Sequence, residues 1–289
     1  MKMRLTIAKT LLALVAAVLA GALAPASLAQ TGAGPVIPDF FDPQDRLIRP
    51  SLKDRPRLRF LTVTDFPPFS FIDQQNRLVG FHVELAREIC RELELQAQCQ
   101  IQALPFGELE AALNSGEGEA IMAGIPIDAQ SRARFSFTLS YFHIPGRFVA
   151  ANDLAATGPL AKLLADKAVG IVHGTAHAAF AQATFGDIRL RLFEDQASAL
   201  AALEKQSVAA VFSDALSLAF WLQGKQGSAC CGFLGEAFPA HTYFGRGLAI
   251  AVKRDDLELT EGLNFALRSI NAKGKFAELY LRYFPIGLY

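Results

Sequence analysis

Asp214 ends the run Ala209-Ala210-Val211-Phe212-Ser213-Asp214, an apolar strand pattern followed by a helical one. An Asp at such a turn is first a helix cap. Gly174-Thr175 stands at a second strand-to-helix turn, after Val172 and His173. Glycine lets the backbone approach a bound molecule closely, and the free N–H groups at a helix start favour an anion. Asp65-Phe66-Pro67-Pro68-Phe69 supplies a different chemistry. Two prolines fix φ and deny helix, so Phe66 is offered on a rigid loop as the wall of a cleft. Phe69 and Phe71 are expected to pack inside, as most phenylalanines do. Ala123-Gly124-Ile125-Pro126-Ile127-Asp128 follows a strand, and Pro126 has no donor to offer. Arg132 and Arg134 follow. A surface Arg is the bland reading of Arg132.

Other chemistries lack their residues. His173 and His177 are four apart but have no glutamate of a metalloprotease helix between them, so no metal site is expected. Neither a Gly-x-Ser-x-Gly elbow, nor a phosphate loop, nor a dinucleotide fingerprint is present, and no cofactor is expected. Asp65, Asp128, Glu236 and His143 are the candidate acids and bases for an enzyme, but they form no constellation in the sequence. Lys+Arg and Asp+Glu are both 28, and removing Lys2, Arg4 and Lys9 leaves 25 basic residues against 28 acidic, near −3. That balance offers no basic surface for nucleic acid.

The elements that must position these residues follow from periodicity. Residues 59–63 read as a buried strand. Phe81, Leu85, Ile89 and Leu93 recur every four residues, with Ala86 and Cys90 beside them, which predicts an amphipathic helix. Residues 98–103 alternate as a half-buried strand, 106–114 form a short helix ended by Ser115-Gly116, and 119–125 form a strand. Beyond the middle of the chain the pattern repeats: strand 168–172, helix to about residue 185, helix 195–206, strand 208–212, helix 214–224, strand 245–252, and helices 257–271 and 275–284. This alternation argues for an α/β layer fold.

The N-terminus reads as a signal peptide over residues 1–29. Lys2, Arg4 and Lys9 precede an apolar run from Leu11 to Leu23, and Ser27-Leu28-Ala29 is a small-x-small cleavage site before Gln30. The run is too short to span a bilayer comfortably, so no stable membrane insertion is expected. Residues 30–57, rich in Pro, Gly and Asp, read as an irregular arm.

Residues 58–153, with LRFLTVTDFPPFSFIDQQNRLVGFHVELAREIC and EAIMAGIPIDAQSRARFSFTLSYF, and the closing GLAIAVKRDDLELTEGLNFALRSINAKGKFAELYLRYF resemble the solute-binding proteins of the polar amino-acid type, solute-binding protein family 3. The resemblance covers essentially all of residues 58–289. It implies a two-lobed clamshell of the periplasmic-binding-protein fold, each lobe a mixed, mostly parallel sheet flanked by helices. Lobe 1 would comprise residues 58–144 plus 245–289, and lobe 2 residues 145–244. The partners implied are a small polar solute, an amino acid or related compound, and the permease of an ABC importer; a periplasmic monomer without catalytic activity is expected. By the same resemblance Phe66 stacks on the ligand, Gly124 and Ala123 offer backbone groups, Thr175 takes a carboxylate and Asp214 takes the ammonium. The family places its carboxylate-clamping Arg at the position of Ser131. Here Arg132 stands one residue later, so either the loop absorbs the shift or the clamp is absent. His82 replaces a helix-start Asp, which implies capping or packing.

Four cysteines allow three pairings. With the lobes so assigned, a cross-pairing would bridge them and hinder a hinge, which favours Cys90–Cys99, a staple from a helix to its following strand. Cys230 and Cys231 are then a vicinal disulfide or two thiols. Two alternatives use the same scaffold: a secreted dehydratase, and a periplasmic accessory factor that has lost amino-acid binding.

Overall fold

The computed structural model describes residues 36–42, 50–52, 54–154, 159–186, 188–284 and 287–289. The expected signal peptide and part of the arm, including residues 30–35, lie outside the described residues. In chain order the elements are β1 (Leu58–Thr62), β2 (Asp65–Phe66), β3 (Ser70–Ile72), β4 (Leu78–Val79), α1 (Phe81–Glu92), β5 (Cys99–Ala103), α2 (Leu109–Ser115), β6 (Ala120–Ile121), α3 (Ala129–Arg132) and β7 (Phe135–Phe137). There follow β8 (Gly146–Ala151), α4 (Leu160–Leu163), β9 (Ala168–Val172), α5 (Ala176–Thr184), β10 (Arg189–Phe193), α6 (Gln196–Glu204), β11 (Ala210–Asp214), α7 (Ala215–Gln223), α8 (Lys225–Cys230), β12 (Cys231–Phe238), α9 (His241–Phe244), β13 (Ala251–Lys253), α10 (Leu257–Ala272) and α11 (Lys275–Tyr283).

Two five-stranded sheets organise the chain, in the orders β5-β1-β6-β13-β7 and β10-β9-β11-β8-β12. Their designs match. Three strands run parallel at one flank, β5-β1-β6 in one sheet and β10-β9-β11 in the other. The remaining two ladders of each sheet are antiparallel. Parallel and antiparallel ladders are therefore equally represented in each sheet. The reason is the path of the chain. β8 follows the first crossing between the sheets and runs against both of its neighbours, β11 and β12; β13 follows the second and runs against β6 and β7. The crossings run side by side, joined by an antiparallel bridge between Phe142 and Leu248. Gly245 and Gly247, with φ of 82° and 85°, turn the chain before β13 and delay its pairing to Ala251.

Alternation decides what each face covers. In β11, Ala210 and Phe212 join a cluster with Phe148, Phe180 and Ile171, while Val211 faces Val149, Leu200 and Leu218 on the other side. The first sheet buries Phe60, Phe69, Phe81, Leu85, Ile89, Leu263 and Tyr280 in one large cluster. The α1 stripe of Phe81, Leu85 and Ile89 is buried as its spacing predicts. Cys90 of α1 and Cys99 of β5 are bonded, their Cα atoms 6.1 Å apart. Cys230 and Cys231, where α8 passes into β12, are also bonded. Arg147 in β8 is buried; it donates to the backbone carbonyls of Leu288 and Gly235 and lies 4.4 Å over the Phe233 ring. No described helix is long and apolar enough to cross a membrane.

Candidate functional site

Parallel neighbours bring their carboxyl ends to one edge of a sheet, where ligands of open α/β folds bind. β1 and β6 are such neighbours, with Phe60 opposite Ala120 and Leu61 opposite Ile121. The loop that carries Phe66 and the loop that carries Ala123 and Gly124 therefore leave the first sheet together. Phe66 is half-buried, its ring 4.8 Å from Phe69. A Cβ on Gly124 would come within 3.0 Å of the Phe66 ring, and φ there is +72°. The positive φ favours glycine at 124, and the Phe66 ring leaves a Cβ there only a tight fit. Ala123 is buried, and Phe69 is fully enclosed while Phe71 is only half-buried.

Behind this wall lies His82. It makes no cap; it is buried, with Nδ1 3.1 Å from the Met122 carbonyl and Nε2 2.8 Å from the Tyr141 hydroxyl. A carbonyl can only accept, so Nδ1 carries the proton and Nε2 accepts from Tyr141. Burial pushes the His82 pKa down to about 3 and raises that of Tyr141, which keeps both neutral. Thr62 Oγ1 donates to the same Met122 carbonyl at 2.8 Å. The network fixes the strand exit that leads to Gly124.

The next loop is held by a reciprocal cap. Asp128 Oδ1 accepts from the Ser131 N–H at 2.7 Å, and the Asp128 N–H donates to Ser131 Oγ at 3.0 Å. The Ser131 N–H bond holds the Asp128 carboxyl below its usual range. Ser131 is buried, so the position at which the resemblance expects a clamping Arg is spent on a cap. Arg132 is exposed, its guanidinium 6.0 Å from the Phe137 ring. It lines an open cavity of about 750 Å³ together with Thr138, Ser140, His143, His241 and Arg246.

In the second sheet β9 and β11 are the parallel neighbours, with Ala210 opposite Val169. Thr175 and Asp214 follow them at adjacent strand-to-helix turns, and each caps its helix. Thr175 Oγ1 accepts from the Ala178 N–H at 3.1 Å and donates to the Val172 carbonyl at 2.8 Å. Of the first-turn donors of α5, the N–H groups of Ala176 and His177 are left for a ligand. Asp214 Oδ1 accepts from the Ser217 N–H at 2.8 Å, and Ser217 Oγ donates to Oδ2. Gln196 Oε1 accepts from Ser213 Oγ at 3.1 Å while its Nε2 donates to Ser217 Oγ at 3.1 Å, which locks the turn. His177 stacks on Phe244 with ring centroids 4.5 Å apart, and its buried Nε2 has no hydrogen-bond partner. Burial pulls its pKa below the ordinary value, against the opposing pull of Asp214.

The structure thus gathers Phe66, Ala123 and Gly124 at one sheet edge and Thr175 with Asp214 at another, while Arg132 lies on the cavity at the crossings. Sequence reasoning missed the Gln196–Ser217 brace, the place of His177 beside Asp214, and the roles of His241 and Arg246. The first has a local signal, Asp214-x-x-Ser217 as a cap. The others meet only through the fold. Of the candidate acids and bases, Asp128 is held in its cap, and His143 packs against His241 with ring centroids 4.8 Å apart.

Comparison with known proteins agrees with this geometry. The profile of the bacterial extracellular solute-binding proteins, family 3, matches residues 58–286. A putative ABC transporter arginine-binding protein 2 of Escherichia coli K12 is 30% identical over 227 residues, 78% of this chain and 90% of that protein. The histidine-binding periplasmic protein of Salmonella typhimurium LT2 is 26% identical over 240 residues, 81% of this chain and 89% of that protein. Among solved structures, the second substrate-binding domain of a putative amino acid ABC transporter from Streptococcus pneumoniae superposes with a TM-score of 0.67 at 23% identity, covering 79% of this chain and all of that one. The unliganded, open L-cystine solute receptor of Neisseria gonorrhoeae gives 0.68 at 17% identity, with 81% of this chain and 95% of that one covered. An extracytoplasmic solute-binding fold of two lobes, the paired sheet edges and a profile match over most of the chain agree: the protein belongs to the bacterial extracellular solute-binding proteins, family 3.

Proposed function

We propose that this solute-binding protein takes a zwitterionic, amino-acid-type solute in the periplasm and presents it as a monomer to the permease of an ABC importer. Lobe 1 would be residues 58–144 plus 245–289 and lobe 2 residues 145–244. The observation that carries the reading is the adjacency of Asp214 and the α5 start on neighbouring parallel strands. The solute's ammonium group would face the Asp214 carboxylate. Its carboxylate would take the N–H groups of Ala176 and His177 beside Thr175. Phe66, over Gly124, would cover its apolar part, with backbone groups of Ala123 and Gly124 on the same side. Such a solute bridges the lobes, and closure is favoured because only the closed state makes both sets of contacts.

The relatives named above for arginine and histidine share an α-amino-acid head group, which supports this reading. A non-catalytic role is supported by the family and by the cleft edges, where caps and packing occupy Asp128 and His143. A thermal-shift panel of α-amino acids on the mature protein tests it. A solute present at 100 Kd should stabilise the fold by about 2.7 kcal/mol. A panel in which no α-amino acid raises the midpoint, while prephenate is turned over, would sink the binding reading in favour of a dehydratase.

A further inference from the structure

The cavity at the crossings has a chemistry that the head-group contacts do not use. Arg132, Arg246, His143 and His241 line it with the hydroxyls of Ser140 and Thr242, and no carboxylate is among its lining residues. Neither arginine takes part in an ion pair among the described residues; Arg132 has only the Phe137 ring at 6.0 Å. An unpaired guanidinium facing open volume attracts a carboxylate or phosphate and repels a cationic side chain.

The walls come from both lobes as assigned above. Ile127, Thr138 and Ser140 belong to the first sheet's side, and His241 and Thr242 to α9. Ser140 Oγ donates to the Arg246 carbonyl at 2.5 Å and ties one crossing to the other beneath the cavity. The His143 and His241 rings are 4.8 Å apart, and burial together with His241 holds His143 down to about 4. An anion between the rings would relieve that penalty on His143.

The cavity also adjoins the head-group cradle on both sides. Ile127 lies three residues along the loop from Gly124. On the other side α9 reaches α5 through the Phe244–His177 stack at 4.5 Å, and His177 is in the first turn after Thr175. From this charge pattern and placement we infer that the cavity receives a second anionic group of the same solute, so that the solute class is an amino acid bearing a further carboxylate or comparable oxyanion. The inference rests on the head-group reading and narrows it away from the cationic amino acids.

Titration calorimetry on the mature protein separates the cases. The probes are glutamate and 2-aminoadipate, their neutral counterpart glutamine, arginine, and succinate as a dianion without an ammonium. The expected result is roughly tenfold or tighter binding of an amino dicarboxylate than of glutamine or arginine. Arg246→Gln should erase that preference, and because the side chain is exposed and unpaired the variant should keep the wild-type melting midpoint. His241→Asn gives a second, milder loss. A preference for arginine, or dicarboxylate affinity that Arg246→Gln leaves unchanged, overturns the anion site while amino-acid binding that depends on Asp214 keeps the head-group reading. Succinate binding through Arg246 without Asp214 dependence would remove the head-group reading and keep the cavity. No binding by any probe overturns both.

Discussion

His82 shows how much one side chain can settle. Its ring closes a chain of hydrogen bonds from Tyr141 to Met122, and the geometry admits a single neutral tautomer. Folded, it resists protonation until about pH 3, whereas in the unfolded chain it takes a proton near 6.5. The unfolded state therefore binds more protons as pH falls below 6.5, and stability is lost in that direction. His143, held down to about 4, acts with the same sign. Denaturant titrations should show the protein weaker by roughly 1–3 kcal/mol at pH 5 than at pH 7. His82→Gln should reduce that slope and leave the part that His143 carries; an unchanged slope would mean that His82 does not contribute.

Asp214 combines two roles that mutants can separate. Asn caps a helix about as well as Asp, so Asp214→Asn should keep the melting midpoint and lose the charge. Binding of an amino-acid solute should then weaken by roughly 2 kcal/mol or more. Asp214→Ala should lose about 1 kcal/mol of stability in addition, since the Ser217 N–H loses its acceptor. Unchanged affinity in Asp214→Asn would end the zwitterion reading. Arg132→Ala tests the shifted position on its own, because Ser131 is already committed to Asp128.

Among the elements, α1 and β5 carry the clearest local argument. Cys90 and Cys99 join the end of a buried helix to the first residue of its following strand. Non-reducing peptide mapping should link these two, and replacing both by Ala should cost a few kcal/mol at most, since the loop they close is short. A link from either to Cys230 or Cys231 would contradict the structure. Gly80, just before α1, has φ of 130°, and a Cβ there would meet the Phe69 carbonyl oxygen at 2.3 Å. Gly80→Ala should destabilise by more than 1 kcal/mol in a thermal melt, because that carbonyl is also the acceptor for the His82 N–H and cannot yield freely.

Elements with strong periodicity were legible in the sequence: α1, α5, α10, α11 and the buried strands β1, β9 and β11. The weak ones were not. β10 reads Arg189-Leu190-Arg191-Leu192-Phe193 and lies at the sheet's edge with three of its five residues exposed. β12 contains two glycines and a bulge. β6 is shorter than its apolar run because only Ala120 and Ile121 face a partner strand. Capping at Thr175 and Asp214 could be read from residue type and position. The cavity could not, since its basic groups come from segments around residues 132, 143 and 241–246 that meet only when both crossings are in place.

For the whole molecule, export and closure remain as measurable behaviours. Secreted protein should begin at or near Gln30 and fractionate with soluble periplasmic material; intact Met1 on membrane-held protein would contradict the signal-peptide reading. Closure should be visible as a fall in the radius of gyration by small-angle scattering when solute saturates. A solute that binds without that change would leave the clamshell mechanism unsupported.

β13 sits between β6 and β7, yet more than a hundred residues separate it from either along the chain. The second sheet has no such debt, because all of its strands lie within residues 146–238. A chain threaded amino end first through a secretion pore would therefore deliver every strand of its second sheet before the first sheet could close. Until residues 251–253 emerge, β6 and β7 are unpaired edges, the kind of surface on which chains stick to one another. Those edges stay open for as long as the second sheet takes to emerge, and the arrival of β13 closes them.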